Sequence, residues 1–430
     1  MEGGNSQVPG IGLSNDGRRD TEMLPLHESQ NNGLDDEDNT GSSKVKKILS
    51  VLYKIQFWGT MKYTQLPNSF RFIIACFRGM GQVVFANNPV SGLFILVGLC
   101  IESTFMAFTG ILALASGSTS ALFLGVDKTA LFNGLYSLNP FLVGLAIGLF
   151  FEGDWDRRGM TFSMLTSLVG GLLCTHVTLA LNYICKRTVR APPFTLPFVL
   201  TTYIILAASV SISLTEHLDS VLAQSFVTQQ PRSSHYHKWG VVDWFSAGSE
   251  GVGQIFLAGN PWSGLLITIG VFICSPILSV ALLFGSFLGL LAAFALGANE
   301  EEARLGLWGF NAALSTAGIL FNWRLSFRIL LLTLTNSAIA FIFQAALATL
   351  FAPLGLPVLT LPFVLATILM WTNLYNIPHT QLLAKMELCT PEEAILRASE
   401  LHTLDPFDDP YEREISGYSV LDTINLSRED

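Results

Sequence analysis

Apolar residues fill this chain in long, nearly unbroken blocks rather than on one face of amphipathic helices. The first set runs Gly92 to Ile101, Phe105 to Leu124, Leu138 to Phe151, Met160 to Cys185 and Pro197 to Leu214. The second runs Gly264 to Ile273, Ile277 to Leu296, Phe310 to Asn322, Ile329 to Phe351 and Leu361 to Trp371. Helices that are apolar all round belong in a membrane or a large core, and the polar breaks between blocks read as turns. Five blocks in each half predict ten spans. Several blocks are shorter than the ~20 residues a full span needs. Half-helices that stop at mid-membrane account for these, and they are tolerated only where their backbone lines a cavity or is buried in protein. No segment reads as a strand array or a glycine-rich phosphate loop. The glycines within the blocks suit close helix packing.

The two sets are copies of each other. Gln82-Val83-Val84-Phe85-Ala86-Asn87-Asn88-Pro89-Val90-Ser91-Gly92-Leu93 aligns with Gln254-Ile255-Phe256-Leu257-Ala258-Gly259-Asn260-Pro261-Trp262-Ser263-Gly264-Leu265, with seven of twelve positions identical at an offset of 172. Gly134-Leu135-Tyr136-Ser137-Leu138-Asn139 pairs with Gly306-Leu307-Trp308-Gly309-Phe310-Asn311 at the same offset. Phe194-Thr195-Leu196-Pro197-Phe198 pairs with Leu359-Thr360-Leu361-Pro362-Phe363 at an offset of 165. Three markers in one order in both halves indicate an internal duplication, which in a membrane chain predicts two bundles with a shared site between them. Five spans is an odd number, so the second repeat starts from the opposite side and is inverted. The expected fold is therefore an all-α membrane protein of ten transmembrane helices in two inverted five-helix repeats, with the pore between the halves. The chain divides into an acidic N-terminal tail at 1–43, a first repeat with a basic lead-in at 44–214, an extracellular connection at 215–244, a second repeat at 245–375 and a C-terminal tail at 376–430.

Charge sets the orientation. Residues 44–88 hold seven Lys and Arg and no acid. A basic run beside the first span predicts a cytoplasmic N-terminus and also suits membrane lipid. Counting turns from there puts Lys186, Arg187, Arg190, Arg324 and Arg328 inside, and the Glu300-Glu301-Glu302 loop outside. Both termini then lie in the cytoplasm. The net charge of −9 belongs to the tails, which carry −7 and −8 and leave the body at +6. It gives no case for nucleic-acid binding. Only 13% of residues are charged and mean hydropathy is +0.47, whereas soluble domains average about 25% charged. Six scattered cysteines without CxxC spacing read as free buried thiols, not as disulfides or a zinc site. The polar first forty residues contain no signal peptide, and Asn425-Leu426-Ser427 falls in the cytoplasmic tail, where a sequon stays unused.

Candidate chemistry follows the repeats. A glutamine in apolar surroundings costs free energy unless its amide is satisfied. Gln82 and Gln254 occupy equivalent positions, and a carboxamide both donates to and accepts from a small polar solute; a packing role at a helix end is the alternative. Asn88-Pro89 and Asn260-Pro261 mark helix boundaries, because proline lacks an N–H and fixes φ. Thr195 and Thr360 precede a proline by two residues. Each hydroxyl either caps a helix or meets its counterpart at the midplane of a pore. Phe85, next to the repeated glutamine, is the aromatic singled out as a wall. Carboxylates are scarce in the spans: Glu102 sits at a turn and Glu250 is the one ambiguous acid, while His176 reads as a satisfied core histidine. Ion-coupled transport needs buried ionisable groups, so their scarcity favours passive permeation of a neutral solute. No constellation for nucleophilic catalysis, metal or cofactor binding is present.

Gln82-Val-Val-Phe-Ala-Asn-Asn-Pro-Val-Ser-Gly, Phe194-Thr-Leu-Pro-Phe, Gly251-Val-Gly-Gln-Ile and Gly306-Leu-Trp-Gly-Phe-Asn311 resemble the urea transporters over roughly residues 70–375. The resemblance implies ten spans in two inverted halves with two extra tilted re-entrant half-helices, a plasma-membrane homotrimer with one pore per protomer, and channel-like movement of urea. It implies that Gln82 and Gln254 flank a narrow slot, that Val83, Phe85, Ile255 and Leu257 are its apolar walls, and that Thr195 and Thr360 mark the central constriction. Asn139 and Asn311 are secondary candidates. Leu257 stands where some members carry an aromatic residue. A planar amide between apolar faces, with its N–H groups on carbonyl acceptors, gives selectivity by shape and hydrogen bonding. The rival readings are a broader pore for water, ammonia or small amides, an ion-coupled secondary transporter, and a non-transporting receptor or scaffold. Aquaporins use paired Asn-Pro-Ala boxes, but here Val90 and Trp262 follow the Asn-Pro pairs. An enzyme is the least supported reading.

Overall fold

A computed structural model describes residues 67–151, 157–211, 239–377 and 390–393. The acidic tail at 1–43, much of the basic lead-in, most of the 215–244 connection and most of the C-terminal tail, including Asn425, lie outside the described residues. Among those described there are helices and turns and no strand ladder. The helices before the connection are α1 (Asn68–Gln82), α2 (Pro89–Glu102), α3 (Thr104–Phe123), α4 (Lys128–Phe132), α5 (Leu138–Phe150), α6 (Arg157–Thr188) and α7 (Leu196–Ser211). Those after it are α8 (Val241–Gly253), α9 (Pro261–Cys274), α10 (Pro276–Ala295), α11 (Glu300–Arg304), α12 (Phe310–Asn322), α13 (Phe327–Phe351) and α14 (Leu361–Leu374). Each helix of the first series has a counterpart in the second.

The boundaries have local causes that recur in both series. Asn88 Oδ1 accepts from Val90 N at 2.8 Å and Asn260 Oδ1 from Trp262 N at 2.9 Å, each with proline as the first helical residue. Proline is tolerated there because that N–H has no intrahelical partner. Ser103 Oγ caps α3 through Met106 N, and Ser275 Oγ caps α10 through Leu278 N, both at 3.1 Å. Asp127 and Asn299 cap α4 and α11 in the same way. Such caps each contribute about 1 kcal/mol.

Four helices are long and apolar enough to cross a membrane: Thr104–Phe123, Gly159–Thr188, Pro276–Ala295 and Phe327–Leu354. A fifth arises if Val241–Phe256 and Pro261–Cys274, bent by 75° at their junction, count as one span. α2, α5, α7 and α14 are equally apolar but only 13 to 16 residues long. Helix length alone therefore gives four or five spans, not ten.

α5 and α12 are the central helices. Every residue of α12 is buried, and nearly every residue of α5. α5 packs on α3 and α6, and α12 on α10 and α13. The two series meet along α2 and α9. Ser91 Oγ, at the start of α2, donates to Gly270 O near the end of α9 at 2.7 Å, and Ser263 Oγ, at the start of α9, donates to Gly98 O near the end of α2 at 2.8 Å. Equivalent helices thus run antiparallel and exchange equivalent bonds. The approach depends on glycine: a Cβ on Gly270 would lie 2.7 Å from Phe94 Cβ, and one on Gly98 would lie 3.1 Å from Ser263 O. Small residues are what let membrane helices come this near.

Two sequence expectations are corrected. His176 lies on an exposed face of α6 with Nδ1 2.9 Å from Leu172 O; the surrounding apolar run is a lipid-type surface, so span membership does not mean core. Cys174, Cys185 and Cys274 are buried thiols, but Cys100 is exposed for the same reason.

Candidate functional site

Among the described residues, five non-glycine residues take left-handed backbone conformations: Arg190 (φ 51°) and two repeat-related pairs, Phe85 (φ 63°) with Leu257 (φ 62°) and Phe194 (φ 49°) with Leu359 (φ 50°). Branched or bulky residues rarely sit there, and such strain, about 1–3 kcal/mol each, collects at functional sites. The first pair ends α1 and the 3₁₀ turn Gln254–Phe256 that extends α8. Closing bonds Ala86 N to Gly81 O (3.0 Å) and Ala258 N to Gly253 O (3.1 Å) hold the turns. The second pair immediately precedes Thr195 and Thr360.

The predicted polar residues are anchored in matching ways. Gln82 Nε2 donates to Asn133 O at 3.1 Å, and Gln254 Nε2 donates to Leu305 O at 2.9 Å. Asn139 Nδ2 donates to Phe194 O and Asn311 Nδ2 to Leu359 O, both at 3.1 Å. The asparagines therefore hold the carbonyls of the strained residues, and so fix the turns that present the threonines. Thr195 Oγ1 and Thr360 Oγ1 lie 2.7 Å apart, and each residue is 3% exposed. Thr360 makes no helix-capping bond. Its hydroxyl is committed to its counterpart 165 residues away.

The first-series members of these pairs border a cavity of about 540 Å³, within the usual range for small-molecule sites. Gln82, Val83, Phe85, Asn139 and Thr195 all contribute to its wall. The second series contributes lining that was not anticipated from sequence: Phe321, Asn322, Phe363 and Trp371. Phe85 lies 5.4 Å from Phe321 and 6.4 Å from Phe363, and Phe194 lies 5.4 Å from Phe363 and 5.7 Å from Trp371, centroid to centroid. Trp371 Nε1 donates to Arg190 O at 3.1 Å, which fixes the indole. With 31 phenylalanines in the chain, apolar blocks do not distinguish a pore wall from a lipid face. The one available signal was Phe198 and Phe363, equivalent within the third repeated marker. Asp127, Lys186 and Arg190 also line this cavity.

Gln254, Ile255, Leu257 and Asn311 are not in this wall; they form the equivalent substructure of the second series. Ile255 is buried, and Gln254 and Leu257 are half-buried. Thr360 is not in this wall either; its hydroxyl meets that of Thr195, which is. The second series has one addition: Gln344 accepts from Asn311 Nδ2 at 3.1 Å and donates to Leu307 O, while Asn311 Oδ1 accepts from Phe363 N at 3.2 Å. Asn139 has no glutamine of this kind, and its Oδ1 lacks a partner among the described residues.

Glu250 is buried and accepts from Ser246 Oγ at 3.2 Å, but it is not in the cavity wall. Near the loop that receives Gln254, burial pushes the Glu302 carboxyl above its ordinary value, partly offset by the hydrogen bond from Trp308 Nε1 at 3.0 Å. No group of three or more metal-type ligands occurs among the described residues. The arrangement offers a cavity with an aromatic lining and Thr195 in its wall.

The urea transporter family model matches residues 73–374. Among curated relatives, urea transporter 1 of Ovis aries is 30% identical over 333 residues, covering 76% of this chain and 83% of the relative. Urea transporter 1 of Mus musculus is 31% identical over 326 residues, covering 73% of this chain and 81% of the relative.

Proposed function

The chain belongs to the urea transporter family, and from that premise we propose that it is a passive urea channel whose constriction is the Thr195–Thr360 hydroxyl pair. It is a multi-pass membrane protein that transports urea, and it is not an enzyme. The observation that carries the channel reading is the 2.7 Å contact between repeat-equivalent threonines, one of which, Thr195, lines the cavity. Urea is planar, with four N–H donors and one strong acceptor. Aromatic faces such as Phe85, Phe321 and Phe363 suit its plane, and a hydroxyl pair exchanges one mutual hydrogen bond for bonds to the solute. Weak, exchangeable contacts of this kind let a solute leave as readily as it enters.

In this reading Gln82 and Gln254 flank the two ends of the slot, Val83, Phe85, Ile255 and Leu257 wall it, and Asn139 and Asn311 brace it. The antiparallel exchange between α2 and α9 supports two inverted repeats. Ten spans follow if the short helices pair as broken spans, α8 with α9 being the pattern. The protein is further proposed to be a homotrimer in the plasma membrane with both termini cytoplasmic. The position of Glu250 outside the cavity wall supports uncoupled transport.

Urea uptake into proteoliposomes of the purified protein, without any ion gradient, tests the reading. The expected result is rapid uptake that follows the urea gradient alone. Folded protein giving no flux above empty liposomes sinks it, and flux that requires sodium or a pH gradient replaces it with coupled transport.

A further inference from the structure

Thr390-Pro391-Glu392-Glu393 belongs by sequence to a solvated tail, yet Pro391 and Glu392 are buried against the membrane body. Glu392 is 0% exposed. Its carboxylate sits at the N-terminus of α10. Ser275 Oγ lies 2.9 and 2.8 Å from its two oxygens, and Ile277 N donates to Oε1 at 2.7 Å. It thereby takes an N–H of the first turn that has no intrahelical partner, and it meets the positive end of the helix dipole. Carboxylates are almost never fully buried unless their charge is compensated, so this contact is a fitted site rather than a passing one.

Comparison of the repeats shows what is unusual here. Ser103 caps α3 as Ser275 caps α10. The residue before Ser103 is Glu102, whereas the residue before Ser275 is Cys274. The acid that the first corner carries in its own sequence reaches the second corner from the tail.

The corner is also connected to the cavity. α9, which ends beside Ser275, accepts from Ser91 at Gly270 O, and Asn87, four residues before Ser91, donates through Nδ2 to Asn133 Oδ1 at 3.4 Å. Arg78 Nη1 donates to Asn133 Oδ1 at 3.1 Å, and Asn133 O accepts from Gln82 Nε2 at 3.1 Å. Asn133 and Gln82 both line the cavity.

We propose that Thr390–Glu393 is a latch, in which Glu392 is a carboxylate ligand carried on the chain's own tail for the α9–α10 corner, and that its engagement holds the cavity mouth in its conducting shape through α9, Asn133 and Gln82. The effect on permeation rests on the urea-channel reading; the docking does not.

Full-length Glu392→Gln and Glu392→Ala proteins are compared with the native chain by limited proteolysis of the tail and by urea flux into liposomes. Both variants should expose the tail to faster cleavage and lower the flux by about fivefold, the low end of typical coupling between linked sites. Ser275→Ala should add little to Glu392→Ala, because residues that share one contact are not additive. A synthetic peptide of residues 386–397, present on both sides of the bilayer, should restore flux to the Glu392→Ala protein. The same peptide carrying Glu392→Gln should not. Native cleavage and native flux in both variants overturn the latch, and so does equal rescue by the two peptides. If native protein carries no urea, the channel reading fails while the cleavage rates still judge the docking. If Glu392→Ala does not fold, the isosteric Glu392→Gln carries the test.

Discussion

Thr360→Val is the sharpest perturbation of the proposed constriction. Valine keeps the shape of threonine and removes only the hydroxyl. In the native fold that hydroxyl lies 2.7 Å from Thr195 Oγ1, and both residues are 3% exposed. Removing it leaves the buried Thr195 hydroxyl without this partner, which costs about 1–3 kcal/mol of stability. In the proposed channel the same hydroxyl is one of two groups that replace water around urea at the constriction. Loss of one such hydrogen bond raises the permeation barrier by about 1–2 kcal/mol, or roughly 5- to 30-fold in flux. Stopped-flow light scattering on proteoliposomes reads the flux, and thermal unfolding reads the stability. The two separate in the double variant. Replacing both members of a buried pair with apolar groups of the same shape is nearly neutral for stability. Thr195→Val with Thr360→Val should therefore regain much of the melting temperature while flux stays low. Flux within twofold of native in Thr360→Val, or flux that recovers with stability in the double variant, would refute the assignment.

Three further outcomes follow from the geometry. Gln82→Leu and Gln254→Leu each lose one bond to a backbone carbonyl, at Asn133 and Leu305; each should cost about 1 kcal/mol and lower both melting temperature and urea flux, and unchanged values in both would remove the glutamines from the site. Gly270→Leu should separate α2 from α9, break the Ser91–Gly270 and Ser263–Gly98 bonds and destabilise by about 1–3 kcal/mol, seen as a lower melting temperature in detergent. Glu302 has a folded-state pKa above its ordinary value because it is buried. The folded state then holds this proton more tightly than the unfolded chain, so the group lowers stability as pH rises from the ordinary carboxylate range through the raised value. Glu302→Gln should match the native protein at the acid end of that window and exceed its stability above it, as measured by melting temperature against pH.

Much of the fold was legible in the chain. Uncharged apolar blocks dictate helices with lipid-type surfaces, and Asn-Pro, Ser and Asp caps fix where helices begin; all of this is written in residues next to one another. The duplication announced that Gln82 and Gln254, Asn139 and Asn311, and Thr195 and Thr360 occupy equivalent environments. It did not say what each side chain touches. A hydroxyl before Leu-Pro is equally suited to capping its own helix, and only the approach of two turns 165 residues apart pairs Thr195 with Thr360. The aromatic wall of Phe321, Phe363 and Trp371 was invisible for a different reason. Inside a membrane chain a phenylalanine that faces lipid and one that faces a pore obey the same apolar pattern. Glu392 was hidden by the opposite bias, since an acid in an acidic tail reads as solvated until the first turn of α10 and the Ser275 hydroxyl are placed against it. Local chemistry thus set the helices and their ends, because propensity and capping act over a few residues. The Thr195–Thr360 contact, the lining of the cavity and the docked carboxylate were decided by tertiary structure alone, because each brings together groups whose separation along the chain gives no local signal.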